Sequence, residues 1–110
     1  MKISDSTAGE VSVLQFEGNL DTGTSPEAQE HLDQLIDGGA AKILIDFANT
    51  DFVSSAGLRV LLATTKKLKA EGGSLRICNL NETVSEVFEI SGFSTILSVF
   101  SAKDEALQDF

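Results

Sequence analysis

Lys42-Ile43-Leu44-Ile45-Asp46-Phe47 decides the fold. Four apolar side chains in six residues, bounded by polar flanks, suit a strand covered on both faces, which is the pattern of a central strand in a parallel sheet. On its N-terminal side, Val11-Ser12-Val13-Leu14-Gln15-Phe16 reads as another strand with Leu14 and Phe16 on one face. Ile3, ahead of the Ala8-Gly9 turn, is placed in a short strand paired with it as a hairpin. A helix follows. Its start is open between Thr24, with Glu27 at capping-box spacing, and Ser25 followed by Pro26. Leu32, Leu35 and Ile36 form its apolar stripe, and Gly38-Gly39 end it.

On the C-terminal side, Leu58, Leu61, Leu62, Thr65 and Leu68 recur at helical spacing, opposite Lys66, Lys67 and Lys69, up to a stop at Gly72-Gly73. Leu75-Arg76-Ile77-Cys78 is a further short strand. Asn81 caps a third helix bearing Val84, Val87 and Phe88 and closed by Gly92. Ile96-Leu97-Ser98-Val99-Phe100 is the last strand, and Ser101 with Asp104 marks a short terminal helix that Leu107 and Phe110 would dock. Strands alternate with helices. The expected architecture is therefore a single α/β domain over residues 1–110, with four to five mostly parallel strands and about four helices.

Composition narrows the function. The chain has 110 residues, a formal charge of −9, 42% hydrophobic and 23% charged residues, enough apolar content for one core and against disorder. So acidic a chain, without a basic cluster, is expected to bind neither nucleic acid nor membrane. One cysteine and one histidine exclude an intrachain disulfide and an ordinary zinc site, so no metal or cofactor is expected, and a reducing cytoplasmic setting fits. No stretch has the length and apolarity of a membrane span.

Several residues invite chemical readings. Asp21-Thr22-Gly23-Thr24 matches the aspartic-protease string, but four helical segments contradict that all-β fold. Asp46 ends an apolar strand, where response-regulator receivers keep their phosphoacceptor, but the acidic pair that would hold magnesium is missing and a structural role is expected. His31 has no partner visible in the sequence, and Cys78 reads as a small buried hydrophobe. Phe52 and Phe93, in connecting segments, are candidate surface contacts. Ser54-Ser55 stands where a strand-to-loop segment enters the second helix, at the end that accepts anions. The plain reading is helix capping. A phosphoryl group there would nonetheless suit the fold while repelling an acidic or apolar partner.

Glu17-Gly18-Asn19-Leu20-Asp21, then Ile43-Leu44-Ile45-Asp46-Phe47, then Phe52-Val53-Ser54-Ser55-Ala56-Gly57-Leu58-Arg59-Val60-Leu61-Leu62, resemble in order and spacing the STAS domain of bacterial anti-sigma factor antagonists. The likeness continues through Gly72-Gly73 and Val87-Phe88-Glu89-Ile90-Ser91-Gly92-Phe93. It implies a non-enzymatic binding module that occupies an anti-sigma factor serine kinase when unphosphorylated, releasing the sigma factor. It also implies phosphorylation by that kinase and restoration by a PP2C-type serine phosphatase. Aligning the family's glycine with Gly57 puts the acceptor on Ser55. Ser54, standing where the family usually has Asp, is the alternative acceptor, and Asp21 takes the place of the acidic residue beside the acceptor. The implied partner surface comprises Asp21, Thr22, Asp51, Phe52, Ser54, Ser55, Ala56, Gly57, Arg59 and Phe93. The other function class compatible with the resemblance is a scaffold or sensor module binding a small ligand or a larger assembly without a phosphorylation cycle.

Overall fold

A computed structural model of the chain describes residues 1–108 and Phe110. The described elements run β1 (Lys2–Ala8), β2 (Val11–Leu20), α1 (Ser25–Asp37), β3 (Lys42–Asp46), β4 (Thr50–Val53), α2 (Ser55–Ala70), β5 (Ser74–Cys78), α3 (Glu82–Ile90), a single 3-10 turn (Phe93–Thr95), β6 (Ser98–Phe100) and α4 (Lys103–Leu107). The sheet order is β1-β2-β3-β5-β6, with β4 also paired to β2. Only β1 runs antiparallel to its neighbour. The expected α/β architecture is present. β3 lies at the centre, and the Ile3 strand forms the hairpin with β2.

The six strands number one more than expected, and the addition is β4. Its burial runs buried, exposed, exposed, buried, without the alternation that marks a strand in sequence. β4 exists because β2 is ten residues long, beyond the expected Val11–Phe16. Ser12 to Gln15 of β2 pair with β3, and Gly18 to Leu20 pair with β4 across an irregularity between Gly18 and Asn19. Gly18, at φ 103°, supplies the left-handed conformation there, and its N–H donates to the Asn49 carbonyl. Thr50 locks the second pairing: its buried hydroxyl donates to the Phe16 carbonyl at 2.7 Å.

Alternation along the strands divides the core in two. Leu14, Phe16, Ile43, Ile45, Leu75 and Ile77 face α1, α2 and α3, where the rings of Phe16, Phe47 and Phe88 meet at centroid distances of 5.8 and 6.5 Å. Val11, Val13, Leu44 and Cys78 face the other way, against Ala106 of α4, with Leu107 and Phe110 docked alongside as expected. α2's buried stripe is broader than the leucine pattern implies. It includes Gly57, Val60 and Thr64, while Leu62 is only half-buried. Thr64 and Thr65 enter the interior because their hydroxyls return to the Val60 and Leu61 carbonyls, leaving no polar atom unmatched.

Two expected caps form differently. Ser101 is not the cap of α4, which starts after Ala102 without a side-chain cap bond. α1 begins at Ser25 with Pro26 in its first turn and Thr24 as its N-cap residue, but the Thr24 hydroxyl makes no capping bond because it accepts from the Asp21 N–H at 2.9 Å and donates to the Asn19 carbonyl at 2.8 Å. Asn81 caps α3 as expected, accepting from the Val84 N–H at 2.7 Å, and its amide also donates to the Thr50 and Asp51 carbonyls of β4. His31 has a partner the sequence did not reveal. Its Nε2 lies 2.7 Å from an Asp5 carboxylate oxygen, because the hairpin brings β1 alongside α1.

Candidate functional site

Parallel pairing ends β2 and β4 side by side, with Leu20 opposite Val53. The next residue of each strand is therefore also adjacent: Asp21 opens the β2–α1 loop, and Ser54 opens α2. The Ser54 N–H donates to the Leu20 carbonyl at 2.9 Å, tying the two strand ends together. Gly57 allows the close approach of the helix. A Cβ built on it would lie 2.7 Å from the Leu20 carbonyl oxygen and 2.8 Å from Leu20 Cγ. Gly57 is thus a packing residue, buried beneath the site rather than part of its surface.

The two serines have different surroundings. Ser54 is the N-cap of α2, in extended conformation, and its Oγ accepts from the Gly57 N–H at 3.3 Å. Ser55 is the first helical residue and is exposed, and its hydroxyl makes no hydrogen bond among the described residues. No acidic side chain occupies the first turn of α2, whereas α1 and α3 each have one and α4 has two. The positive end of α2 is therefore uncompensated by carboxylate on its own helix.

Asp21 is half-buried and organises its own loop. Its Oδ1 accepts from the N–H groups of Gly23 and Thr24 at 2.9 and 3.1 Å, and its N–H donates to Thr24 Oγ1. It makes no hydrogen bond to either serine. Thr22, Asp51 and Arg59 are exposed around this corner, Phe52 is 41% exposed, and Ala56 is half-buried. Phe93 opens the 3-10 turn and is half-buried against the main core. The sequence expectation overlooked Thr50 and read Asn81 as a cap alone. Their polar side chains fix β4, but both types are so common in loops that neither carries a distinctive sequence signal.

The other candidates have structural roles. Asp46 is 7% exposed, and its Oδ1 accepts from the Ala48 N–H and Asn79 Nδ2 at 2.9 and 3.0 Å, stapling the end of β3 to the end of β5. Burial, reinforced by the Asp46 carboxylate, pushes the Cys78 thiol up to about 12. No group of three or more His, Cys, Asp or Glu among the described residues is placed to hold a metal ion. No described helix is long and apolar enough to cross a membrane. Cavities of about 280 and 200 Å³ border β1, and neither is lined by Ser54 or Ser55.

Comparison with known proteins gives the arrangement a family. Bordetella bronchiseptica BtrV, named for anti-sigma factor antagonism, is 32% identical over 110 residues, all of this chain and 95% of that one. The anti-sigma-B factor antagonist of Bacillus subtilis is 35% identical over 92 residues, 84% of this chain and 83% of that one. Among solved structures, the Bacillus cell fate determinant SpoIIAA in its phosphorylated form shares the fold at a TM-score of 0.73 and 23% identity, covering 96% of each chain. The STAS domain model matches residues 2–106, from β1 into α4. With the fold, the relatives and the family model in agreement, the chain belongs to the STAS domains of the anti-sigma factor antagonist family.

Proposed function

We propose that this protein is a cytoplasmic anti-sigma factor antagonist that binds an anti-sigma serine kinase while Ser55 is unmodified, and is switched off when that kinase phosphorylates Ser55. The observation that carries the proposal is the contrast between the serines. Ser54 is engaged as a cap, while Ser55 stands exposed on the helix's positive end with its hydroxyl unengaged among the described residues. The Ser55 hydroxyl oxygen would take the γ-phosphoryl group of ATP, ADP would leave, and the hydroxyl proton would pass to a base of the kinase. The product adds about −1.5 to −2 charge at a helix end that favours anions, so the fold tolerates it. In an interface the same charge is desolvated, and binding is lost. Hydrolysis of the phosphoserine by a PP2C-type phosphatase restores the binding form.

The relatives' names support this reading: they describe antagonists of anti-sigma factors. SpoIIAA, whose fold this chain shares, has been solved in a phosphorylated form. The partner surface would comprise the corner from Asp21 and Thr22 through Asp51 and Phe52 to Ser54, Ser55 and Arg59. Such a surface has no need of catalysis. The test is incubation of wild type, Ser54→Ala and Ser55→Ala with the cognate kinase and ATP, followed by mass spectrometry. Loss of labelling only in Ser55→Ala is expected. Labelling of Ser55→Ala at the wild-type rate would move the acceptor to another residue. Ser55→Asp should fold normally and bind the kinase more weakly by about 2 kcal/mol or more, the scale of an unpaired charge in an interface.

A further inference from the structure

α2 is electrically unlike the rest of the chain. It contains Arg59, Lys66, Lys67 and Lys69, half of the eight basic side chains, and no acidic residue, in a protein of net charge −9. Lys67 is engaged, bridging to Asp33 and Asp37 of α1 at 3.5 and 3.3 Å. Arg59 is exposed and makes no ion pair among the described residues. It lies four residues after Ser55, so the two side chains emerge one above the other on the same face, with Cβ atoms about 5–6 Å apart. Side chains on a helix lean toward its N-terminus, which carries Arg59 back toward Ser55 rather than away from it.

We propose that Arg59 is the intramolecular partner of a phosphate on Ser55, closing over it with a charge-assisted, bidentate hydrogen bond one helical turn away. The inference rests on the phosphorylation proposed above and assigns a residue to its outcome. The planar guanidinium fork matches two phosphate oxygens, which a lysine ammonium cannot do. Phosphorylation would then alter the partner surface twice: an anion appears at Ser55, and the exposed Arg59 cation is withdrawn into an internal pair. The charged neighbours oppose the phosphate dianion. Asp21 stands on the loop after β2, Asp51 on β4, and Glu82 at the start of α3, which packs on β4. Arg59 is the basic residue placed within one turn to offset them.

The test uses the full chain with phosphoserine installed at position 55 by genetic-code expansion, so that it is independent of any kinase. Phosphorus NMR at low ionic strength follows the second ionisation of the phosphate in wild type, Arg59→Gln, Arg59→Lys and Lys66→Gln backgrounds. Circular dichroism checks that each remains folded. The wild-type midpoint should lie about 0.4 pH unit below that of Arg59→Gln, the equivalent of one good i,i+4 ion pair. Arg59→Lys should fall between them, and Lys66→Gln should follow wild type. Superimposable curves for wild type and Arg59→Gln would overturn the proposal. An equal displacement in Lys66→Gln would overturn it too, by showing only the general charge of α2. A kinase that ignores Ser55 would instead refute the phosphorylation reading, and this titration would not be affected.

Discussion

Replacing Gly57 with Ala tests the packing on which the site depends. The added methyl would sit 2.7 Å from the Leu20 carbonyl oxygen, 2.8 Å from Leu20 Cγ and 3.0 Å from Val53 Cγ1. Carbon atoms rest at roughly 3.5–4.0 Å from one another, so α2 must retreat by an amount on the order of 0.5–1 Å. The carbonyl cannot yield, because it accepts the Ser54 N–H and belongs to a fully buried residue. Overpacking of this kind costs about 1–3 kcal/mol, while the gain in helix propensity from Gly to Ala returns at most about 1 kcal/mol. Three contacts at or below 3.0 Å put the cost in the upper part of that range, so the balance is a loss of about 1–2 kcal/mol, or roughly 5–10 °C in Tm for a domain of this size. Thermal and urea unfolding followed by circular dichroism measure it. The same assay ranks Gly73→Ala as more damaging, since its Cβ would lie 2.2 Å from the Ala41 carbonyl oxygen, which accepts the Ser74 N–H. A Gly57→Ala protein as stable as wild type would refute the claim that close approach of backbone to helix fixes Gly57.

Urea unfolding should also separate the two serines. Ser54→Ala is expected to lose about 1 kcal/mol with the cap, whereas Ser55→Ala should stay within about 0.5 kcal/mol of wild type. Because the native Cys78 thiol is raised to about 12, the unfolded chain gives up this proton first as pH rises above 9. Stability should therefore fall through that window, and fall less steeply in Cys78→Ala, as denaturant midpoints at pH 8 and 10.5 would show. Association with the cognate kinase should slow as salt is raised, since an acidic field of net charge −9 steers encounter with a basic surface; stopped-flow rates indifferent to salt would exclude such steering.

What could be read in the sequence depended on whether burial left a periodic trace. β3 was legible because both of its faces are covered, and α2 because its leucines recur at helical spacing. β4 left no such trace, because Thr50 is held by its hydroxyl and Asp51 and Phe52 are exposed. The same distinction applies within the site. Ser54 and Ser55 could be placed at a helix start, but their division of labour depends on which hydroxyl meets the Gly57 N–H, and composition does not encode that. Asp21 shows the limit in another form. The resemblance set it beside the acceptor serine, yet its carboxylate is committed to Gly23 and Thr24, and its adjacency to Ser54 arises from the pairing of Leu20 with Val53. The site is thus a product of β2's length. Had β2 ended at Phe16, Leu20 would have no strand position opposite Val53, and the loop bearing Asp21 would have no fixed place beside the start of α2.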